Sequence, residues 1–205
     1  MINIVSVGKG NVRSLVNWVR CETDQVALLE KPEDYDGGAI ILPGVCSSKE
    51  LMDAIRERGF CPLIRKAAAS DAKIIGICAG FQVMGESTTE GGGTNCLSLL
   101  PLNTVRMESE QHPVSVNGWD TTIINVKAIT NSRISQDFPR HKRLVGEAYF
   151  NHQFGVVLKD PLSKADTCGW RGQYLTHWVS SNLYGFQFHP EKSGKFGKLL
   201  LRVLR

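Results

Sequence analysis

Short apolar runs alternate with amphipathic stretches along the first half of the chain. The runs predicted as buried strands cover residues 2–7, 25–29, 38–42 and 74–77. After the first run, Leu15, Val16 and Val19 recur at helical spacing. Two further helices are predicted around residues 51–55 and 62–69. Strands and helices that alternate in this way predict an α/β fold with a doubly wound, mainly parallel sheet, flanking helices and right-handed crossovers.

The second half of the chain, after the triple glycine at 91–93, has a different pattern. Its short strand candidates, separated by turn residues, are 105–107, 122–126, 143–145, 155–158, 174–177 and 184–188. They predict a mixed or antiparallel section appended to the parallel core. Residues 194–205 predict an amphipathic closing helix. Because the chain has no internal repeat and no linker-like stretch, we expect residues 1–205 to form a single domain.

Composition narrows the possible functions without choosing among them. The 205 residues are 21% charged and 42% hydrophobic, values typical of a globular protein. The net charge of +4 is small, and the one basic cluster is Arg140-His141-Lys142-Arg143. Because no aromatic residues are interleaved with the basic ones, no nucleic-acid partner is indicated. An anionic substrate or an acidic protein partner stays open.

The cysteines show no metal or disulfide pattern. They stand at positions 21, 46, 61, 78, 96 and 168, without a C-x-x-C pair or a regular spacing. This favours reduced thiols over a zinc site or a disulfide framework. The chain also starts without a charged-then-apolar leader and has no apolar run of membrane-spanning length. We therefore expect a cytoplasmic protein that does not enter a membrane.

A candidate nucleophile follows the apolar run that ends at Ile77. The sequence Gly76-Ile77-Cys78-Ala79-Gly80 has the form of a nucleophile elbow, a strained turn from a strand into a helix. The glycines allow a close approach of backbone and helix that a Cβ would prevent. A helix N-terminus favours the thiolate form of Cys78. A small buried cysteine at a strand end would give the same local sequence, and the elbow alone does not decide between them.

Two other strand ends supply groups that suit a cysteine nucleophile. His189-Pro190-Glu191 places an imidazole and a carboxylate after a strand, as a general base and its orienting partner require. Pro43-Gly44 ends another strand. Its N–H groups, together with that of Ala79, are candidates for an oxyanion hole, although the Pro-Gly turn by itself favours an ordinary strand ending. In doubly wound sheets, the carboxyl ends of the strands form the functional edge.

These motifs together resemble the class I, triad-type glutamine amidotransferases. The resemblance rests on residues 76–82 and 188–191 and extends over nearly the whole chain. Within that family, the chain is most similar to the HisH-type glutaminase subunits of imidazole glycerol phosphate synthase. The further stretches that carry this likeness are 6–11, 42–45, 86–91, 117–120, 149–152 and 189–193.

The resemblance implies a reaction and a set of site residues. Cys78 would attack the carboxamide of glutamine, His189 would move protons, and Glu191 would orient His189. The oxyanion and glutamine site would comprise Gly44, Val45, Ala79, Gln82, Glu90, His152 and Gln153. Glu90 suits the substrate ammonium group, although a solvated loop acid would have the same sequence. No metal or organic cofactor is implied.

The resemblance also implies a partner. A (β/α)8-barrel cyclase of the HisF type would receive ammonia in a heterodimer and make imidazole glycerol phosphate and the purine precursor AICAR in histidine biosynthesis. The implied interface residues are Asn11, Trp119, Tyr149 and Lys192. For Trp119, the residues alone favour a place in the core.

Departures from the family pattern keep other functions open. Cys46 and Ala79 stand where the family usually has Gly and Leu, and residues 117–120 and 152–154 also differ. A paralogue could supply ammonia to another synthase, such as one amidating a surface-polysaccharide sugar. A non-enzymatic subunit is disfavoured because Cys78, His189 and Glu191 are all present. An esterase is disfavoured because its acid normally precedes its histidine.

Overall fold

The computed structural model describes residues 1–109, 112–125, 143–159, 166–170 and 173–204. Its helices are α1 (Val12–Arg20), α2 (Ser48–Glu57), α3 (Phe60–Ala69), α4 (Ala79–Gln82) and α5 (Gly194–Leu204). The side chain of Asn11 caps α1, as the sequence predicts, by accepting a hydrogen bond from the Ser14 N–H. Ser47 and Glu50 form a capping box at the start of α2. Local sequence thus fixes where both helices begin.

Four parallel strands form the first part of the sheet. They are β1 (Ile2–Val5), β2 (Val26–Leu29), β3 (Ala39–Leu42) and β4 (Ile74–Ile77). The spatial order is β2-β1-β3-β4, and each neighbouring pair is parallel. This arrangement confirms the predicted parallel core and places the carboxyl ends of all four strands at one edge of the sheet.

The sheet continues beyond β4 with further strands. The remaining strands along the chain are β5 (Ser87–Thr88), β6 (Thr94–Asn95), β7 (Leu102–Arg106), β8 (Glu108–Ser109), β9 (His112–Pro113), β10 (Val116–Asn125), β11 (Arg143–His152), β12 (Phe154–Leu158), β13 (Asp166–Trp170), β14 (Tyr174–Ser180) and β15 (Leu183–Phe186). Beyond β4 the order in the sheet is β15-β14-β12-β7-β5-β6, whereas β8-β9 and β10-β11 form two separate pairs. β15 is parallel to β4. On its other side, β14 is antiparallel to β15, and β12 is antiparallel to β14. The predicted mixed section is therefore confirmed.

The two faces of the sheet bury separate hydrophobic cores. Alternate strand residues point to opposite faces, so Ile4 and Ile41 pack with α1 and α5, whereas Val5 and Ile40 pack with α2 and α3. Helices on both faces make the sheet doubly wound, as predicted. In the part of the chain that is described, no helix is long and apolar enough to span a membrane.

A long hairpin lies outside the main sheet. β10 and β11 pair over ten residues each, and the sequence predicted only part of either strand. The inner face packs on α5, where a Cβ at Gly146 would meet the Phe196 ring. The outer face leaves Trp119, Ile123 and Val145 exposed. Val126 of the predicted strand and Arg140 to Lys142 of the basic cluster lie outside the described residues.

Candidate active site

Cys78 occupies a tight turn between β4 and α4. Its φ of 52° and ψ of −111° are unusual for a residue with a side chain. Its N–H donates to the Phe186 carbonyl at 2.7 Å, which ties the turn to β15. A Cβ at Gly80 would collide with the Leu42 carbonyl, and one at Gly76 would lie 2.7 Å from the Gly80 carbonyl. The close approach predicted from the two glycines is therefore present.

His189 and Glu191 lie at the same edge of the sheet as Cys78. β15 neighbours β4 in parallel, with Phe186 opposite Ile77, so the segments that follow both strands emerge together. The His189 Nδ1 is 2.9 Å from Glu191 Oε1, and both side chains are only 2% exposed. The Ser193 hydroxyl donates to the His189 carbonyl at 2.7 Å, which fixes the backbone of this turn.

The electrostatics around His189 favour the imidazolium. Burial by itself lowers the pKa of His189, but hydrogen bonds and charge interactions with Cys78 and Glu191 outweigh it. Together they raise the pKa of His189 to about 9. Because Nδ1 faces the carboxylate, the other ring nitrogen, Nε2, is available to exchange a proton with the Cys78 thiol. A thiol, an imidazole and a carboxylate are thus arranged in series.

The candidate oxyanion residues also meet at this edge. Ala79 begins α4, so its N–H has no partner within that helix. A Cβ at Gly44 would lie 2.5 Å from the Ala79 nitrogen, which shows how closely the turn after β3 approaches α4. Val45 follows Gly44 and lines the cleft above Cys78. The structure therefore brings the backbone of Gly44, Val45 and Ala79 beside the nucleophile position.

The cleft above Cys78 has a volume of about 230 Å³. This is below the roughly 300 Å³ at which sites for drug-sized ligands begin, and it suits a single amino acid. The predicted residues that line it are Val45, Cys78, Gln82, Glu90, His152, Gln153, His189 and Lys192. A larger cleft of about 290 Å³ lies at the opposite edge near Lys73. Since the described residues lining that cleft include neither cysteine nor histidine, its chemistry offers no competing site.

Glu90 is held by buried hydroxyl groups beneath the cleft. Its Oε2 accepts hydrogen bonds from the Ser48 N–H at 2.6 Å and the Ser48 hydroxyl at 2.7 Å. The Ser48 hydroxyl in turn lies 2.8 Å from that of Thr88. Because Ser48 is the first residue of α2, the carboxylate also lies at the positive end of that helix. These hydrogen bonds hold one oxygen of the Glu90 carboxylate in place and so set the orientation of the whole carboxylate.

His152 forms another wall of the cleft. Its Nδ1 lies 2.9 Å from the Phe154 carbonyl, which can only accept, so Nδ1 carries the proton. Burial lowers the pKa of His152 to about 4, and the ring is therefore neutral at neutral pH. The pKa of the neighbouring Cys46 thiol rises to about 11, mainly through burial, so this thiol is protonated in the same cleft.

The four predicted interface residues lie at or near one end of the molecule. Tyr149 and Trp119 face each other across the β10–β11 hairpin, with ring centroids 5.6 Å apart. The Lys192 ammonium lies 5.3 Å from the centre of the Tyr149 ring. Trp119 is 57% exposed, so its expected place in the core is wrong. The loop that contains Asn11 packs against the turn after β3, because a Cβ at Gly10 would lie 2.9 Å from Pro43.

Three polar groups that contact Cys78 or Glu90 were not predicted from the sequence. They are Ser48, the Asn151 carbonyl, which lies 3.9 Å from Cys78 Sγ, and Gln187, whose amide lies 3.7 Å from the same sulfur. Only Gln187 had a usable signal, since it alternates with the buried Phe186 and Phe188 and so shares a face with His189. The other two depend on tertiary contacts.

The fold and the grouped side chains define an α/β protein with cysteine, histidine and glutamate at the carboxyl edge of its parallel strands. Residues 5–202 match the family model "Glutamine amidotransferase class-I". The chain belongs to the class I glutamine amidotransferase family, as the motifs indicated.

Individual relatives narrow the similarity within this family to one type of subunit. HisH subunits of imidazole glycerol phosphate synthase from Oceanobacillus iheyensis and Thermotoga maritima are 31% and 30% identical to this chain. Each alignment covers 98% of this chain, and 96% and 94% of the respective relative. These relatives confirm the HisH-type resemblance that the motifs predicted.

Two further comparisons concern a longer protein and the fold. The imidazole glycerol phosphate synthase hisHF of Schizosaccharomyces pombe is 28% identical, over 99% of this chain but 37% of that protein. A crystal structure of a glutamine amidotransferase superposes with a TM-score of 0.72, covering 99% of this chain and 96% of that one. At 16% identity, this second likeness concerns the fold.

Proposed function

We propose that this chain is the glutaminase subunit of an imidazole glycerol phosphate synthase and acts in histidine biosynthesis. The observation that carries the proposal is the series Cys78, His189 and Glu191 at one sheet edge, with the His189–Glu191 distance of 2.9 Å. The HisH names of the relatives point to the same reaction. The substrate is glutamine, and the products of this subunit are glutamate and ammonia.

The first half-reaction makes a thioester. The Cys78 thiolate attacks the carboxamide carbon of glutamine, and the carbonyl oxygen becomes an oxyanion facing the backbone N–H groups of the Gly44–Val45 turn and Ala79. The His189 imidazolium then donates its proton to the carboxamide nitrogen. The carbon–nitrogen bond breaks, ammonia leaves, and a glutamyl thioester remains on Cys78.

The second half-reaction regenerates the thiolate. Neutral His189 takes a proton from water as the water oxygen attacks the thioester carbon, and Glu191 stabilises the imidazolium that forms. The carbon–sulfur bond then breaks, and glutamate leaves. The net reaction consumes one water and one glutamine, and yields glutamate and ammonia.

The cleft recognises the amino-acid end of glutamine. We assign the substrate ammonium to Glu90, because a fixed carboxylate at the cleft wall is the complementary charge. Gln82, His152 and Gln153 supply polar contacts around it. Neutral His152 adds no positive charge that would repel the ammonium group.

The ammonia passes to a (β/α)8-barrel cyclase of the HisF type in a heterodimer. We assign Asn11, Trp119, Tyr149 and Lys192 to the partner contact. Lys192 lines the cleft, and the Tyr149 ring connects it to the exposed Trp119. The Schizosaccharomyces pombe hisHF protein supports a two-part enzyme, because this chain covers 37% of it. The cyclase would convert a phosphoribosyl-formimino aminoimidazole carboxamide ribotide and ammonia into imidazole glycerol phosphate and AICAR.

The test is glutamate release by the purified chain, alone and with a HisF-type partner and the cyclase substrate. We expect the wild type to release glutamate with the partner, and Cys78→Ala to abolish release while still binding the partner. Cys61→Ala is the matched control, because Cys61 lies in α3 outside the cleft. A wild type that never releases glutamate under these conditions would refute the enzyme assignment.

The departure at Cys46 favours one alternative, a glutaminase that serves a different synthase. Cys46 stands in the cleft wall, next to the turn that approaches α4. Capture of partners from the source cell separates the two proposals. Recovery of a barrel protein that uses a sugar substrate, with no turnover with the histidine-pathway cyclase, would favour the alternative.

A further inference from the structure

Gln187 lies behind the candidate nucleophile and outside the cleft. It follows β15, is 1% exposed, and its backbone N–H donates to the Thr176 carbonyl at 2.9 Å. Its side-chain Nε2 lies 3.7 Å from Cys78 Sγ, and its Oε1 accepts a hydrogen bond from Gln82 Nε2 at 3.3 Å. A buried carboxamide therefore connects the sulfur to a residue of the glutamine site.

The surrounding contacts fix which end of this carboxamide faces the sulfur. Gln82 Nε2 also donates to the Phe154 carbonyl at 2.9 Å, and a carbonyl can only accept. The amide nitrogen of Gln82 therefore points inward, and the atom of Gln187 beside it must be the oxygen. The Gln187 nitrogen, a donor, consequently points at Cys78.

We propose that Gln187 is a positioning residue that donates an N–H to the Cys78 thiolate and holds its sulfur in place for attack. This inference rests on the proposed role of Cys78 as the nucleophile. A donor favours an anion over a neutral thiol, so the contact is strongest before attack. Once the thioester forms, the sulfur carries no charge and the contact weakens. Gln187 thereby stabilises the reactive form of Cys78 without touching glutamine.

Several titratable groups share the environment of this sulfur. His189, with Glu191 behind it, interacts with Cys78 from the β15 side, and Cys46 lies on the side of the turn after β3. Glu90, His152 and Lys192 line the same cleft. Because all six remain in a Gln187 variant, a change in the titration of Cys78 reports the lost donor.

The test measures the rate at which iodoacetamide alkylates Cys78 as a function of pH. The Cys78 peptide is followed by mass spectrometry, because Cys21, Cys46 and Cys61 also carry free thiols. In Gln187→Met, which has similar length but no donor, we expect the midpoint to rise by about one pH unit, with alkylation about tenfold slower below it. Thr104→Val is the matched control. It removes a buried hydroxyl that contacts the Gln82 carbonyl, and the midpoint should stay at the wild-type value.

An unchanged midpoint in folded Gln187→Met would overturn the proposal, as would an equal rise in Thr104→Val. If Gln187→Met does not fold, the wild-type side-chain amide of Gln187 is followed by NMR. It should shift with pH at the Cys78 midpoint, and Cys78→Ala should remove that step. A step that persists in Cys78→Ala overturns the proposal. Wild-type glutamate release is measured on the same preparation, so a missing glutaminase activity is distinguished from a missing hydrogen bond.

Discussion

Ser48 is the buried residue on which the orientation of Glu90 depends. The side chain of Ser48 is fully buried and donates its hydroxyl to Glu90, while its backbone N–H donates to the same oxygen. Since the two donors occupy Oε2, the second carboxylate oxygen is directed away from Ser48. The proposed ammonium site therefore has its geometry set by a residue that does not line the cleft.

In Ser48→Ala, we expect the KM for glutamine to rise about tenfold with little change in kcat. One charge-assisted hydrogen bond to Glu90 is lost, and the proposed role of Glu90 is to hold the amino-acid end of the substrate rather than the reacting carboxamide. Steady-state glutamate release measures both constants. Ser87→Ala is the control, because it removes a hydrogen bond from β5 to Asn103 of the neighbouring strand β7 without contact to Glu90. Equal KM values in the wild type and Ser48→Ala would contradict this role.

The buried His152 ring makes the free energy of unfolding depend on pH. The folded-state pKa of about 4 lies below the unfolded value of 6.5, so unfolding takes up a proton below pH 6.5. The stability that neutral His152 provides is therefore present above pH 6.5 and lost as the pH falls toward 4. Between pH 7 and pH 5, we expect the free energy of unfolding to fall about 2 kcal/mol more in the wild type than in His152→Gln. Urea unfolding at the two pH values measures it, and parallel losses would contradict the buried, neutral ring.

At the scale of elements, the turn from β4 into α4 depends on close backbone packing. We expect Gly80→Ala to lower the free energy of unfolding by about 3 kcal/mol, because its Cβ meets the immobile Leu42 carbonyl of β3. Gly194→Ala is a matched comparison. Its φ is +51° but nothing lies within 4 Å, so it should cost about 1 kcal/mol of backbone strain alone. Urea midpoints rank the two, and a Gly80→Ala variant as stable as the wild type would show that the strand can move.

The elements differ in how far the sequence could predict them. β1, β3 and β4 are buried on both faces, so continuous apolar runs marked them within a few residues. β10 and β11 were predicted only in part, since exposed Trp119, Ile123 and Val145 on the outer face blur the apolar alternation. Their pairing also joins segments far apart in sequence, for which no local signal exists. Cys78 and His189 carried recognisable motifs, whereas Ser48 acts only through a distant tertiary contact.

At the scale of the whole molecule, the hairpin connects the exposed surface to His189. The Tyr149 carbonyl accepts the His189 N–H at 2.8 Å, and the Ser193 hydroxyl accepts the Tyr149 N–H at 3.1 Å. The Tyr149 ring meanwhile packs against Trp119 on the outer face. A protein bound to that face would therefore contact Tyr149, the residue whose backbone carbonyl also bonds the candidate general base His189. In the proposed heterodimer, this arrangement gives the partner a physical route to the backbone that positions His189.

Trp119→Ala tests whether this face is the partner contact. Tryptophan is enriched among interface hot spots, and truncating one costs about 2 kcal/mol, or roughly a thirtyfold weaker affinity. We expect that loss for binding to a HisF-type barrel, measured by calorimetry. Leu28→Ala is the control, because Leu28 is also exposed, at 46%, but lies on the edge strand β2 at the far end of the sheet. If Leu28→Ala weakens binding and Trp119→Ala does not, the partner docks elsewhere and the hairpin has no part in delivering ammonia.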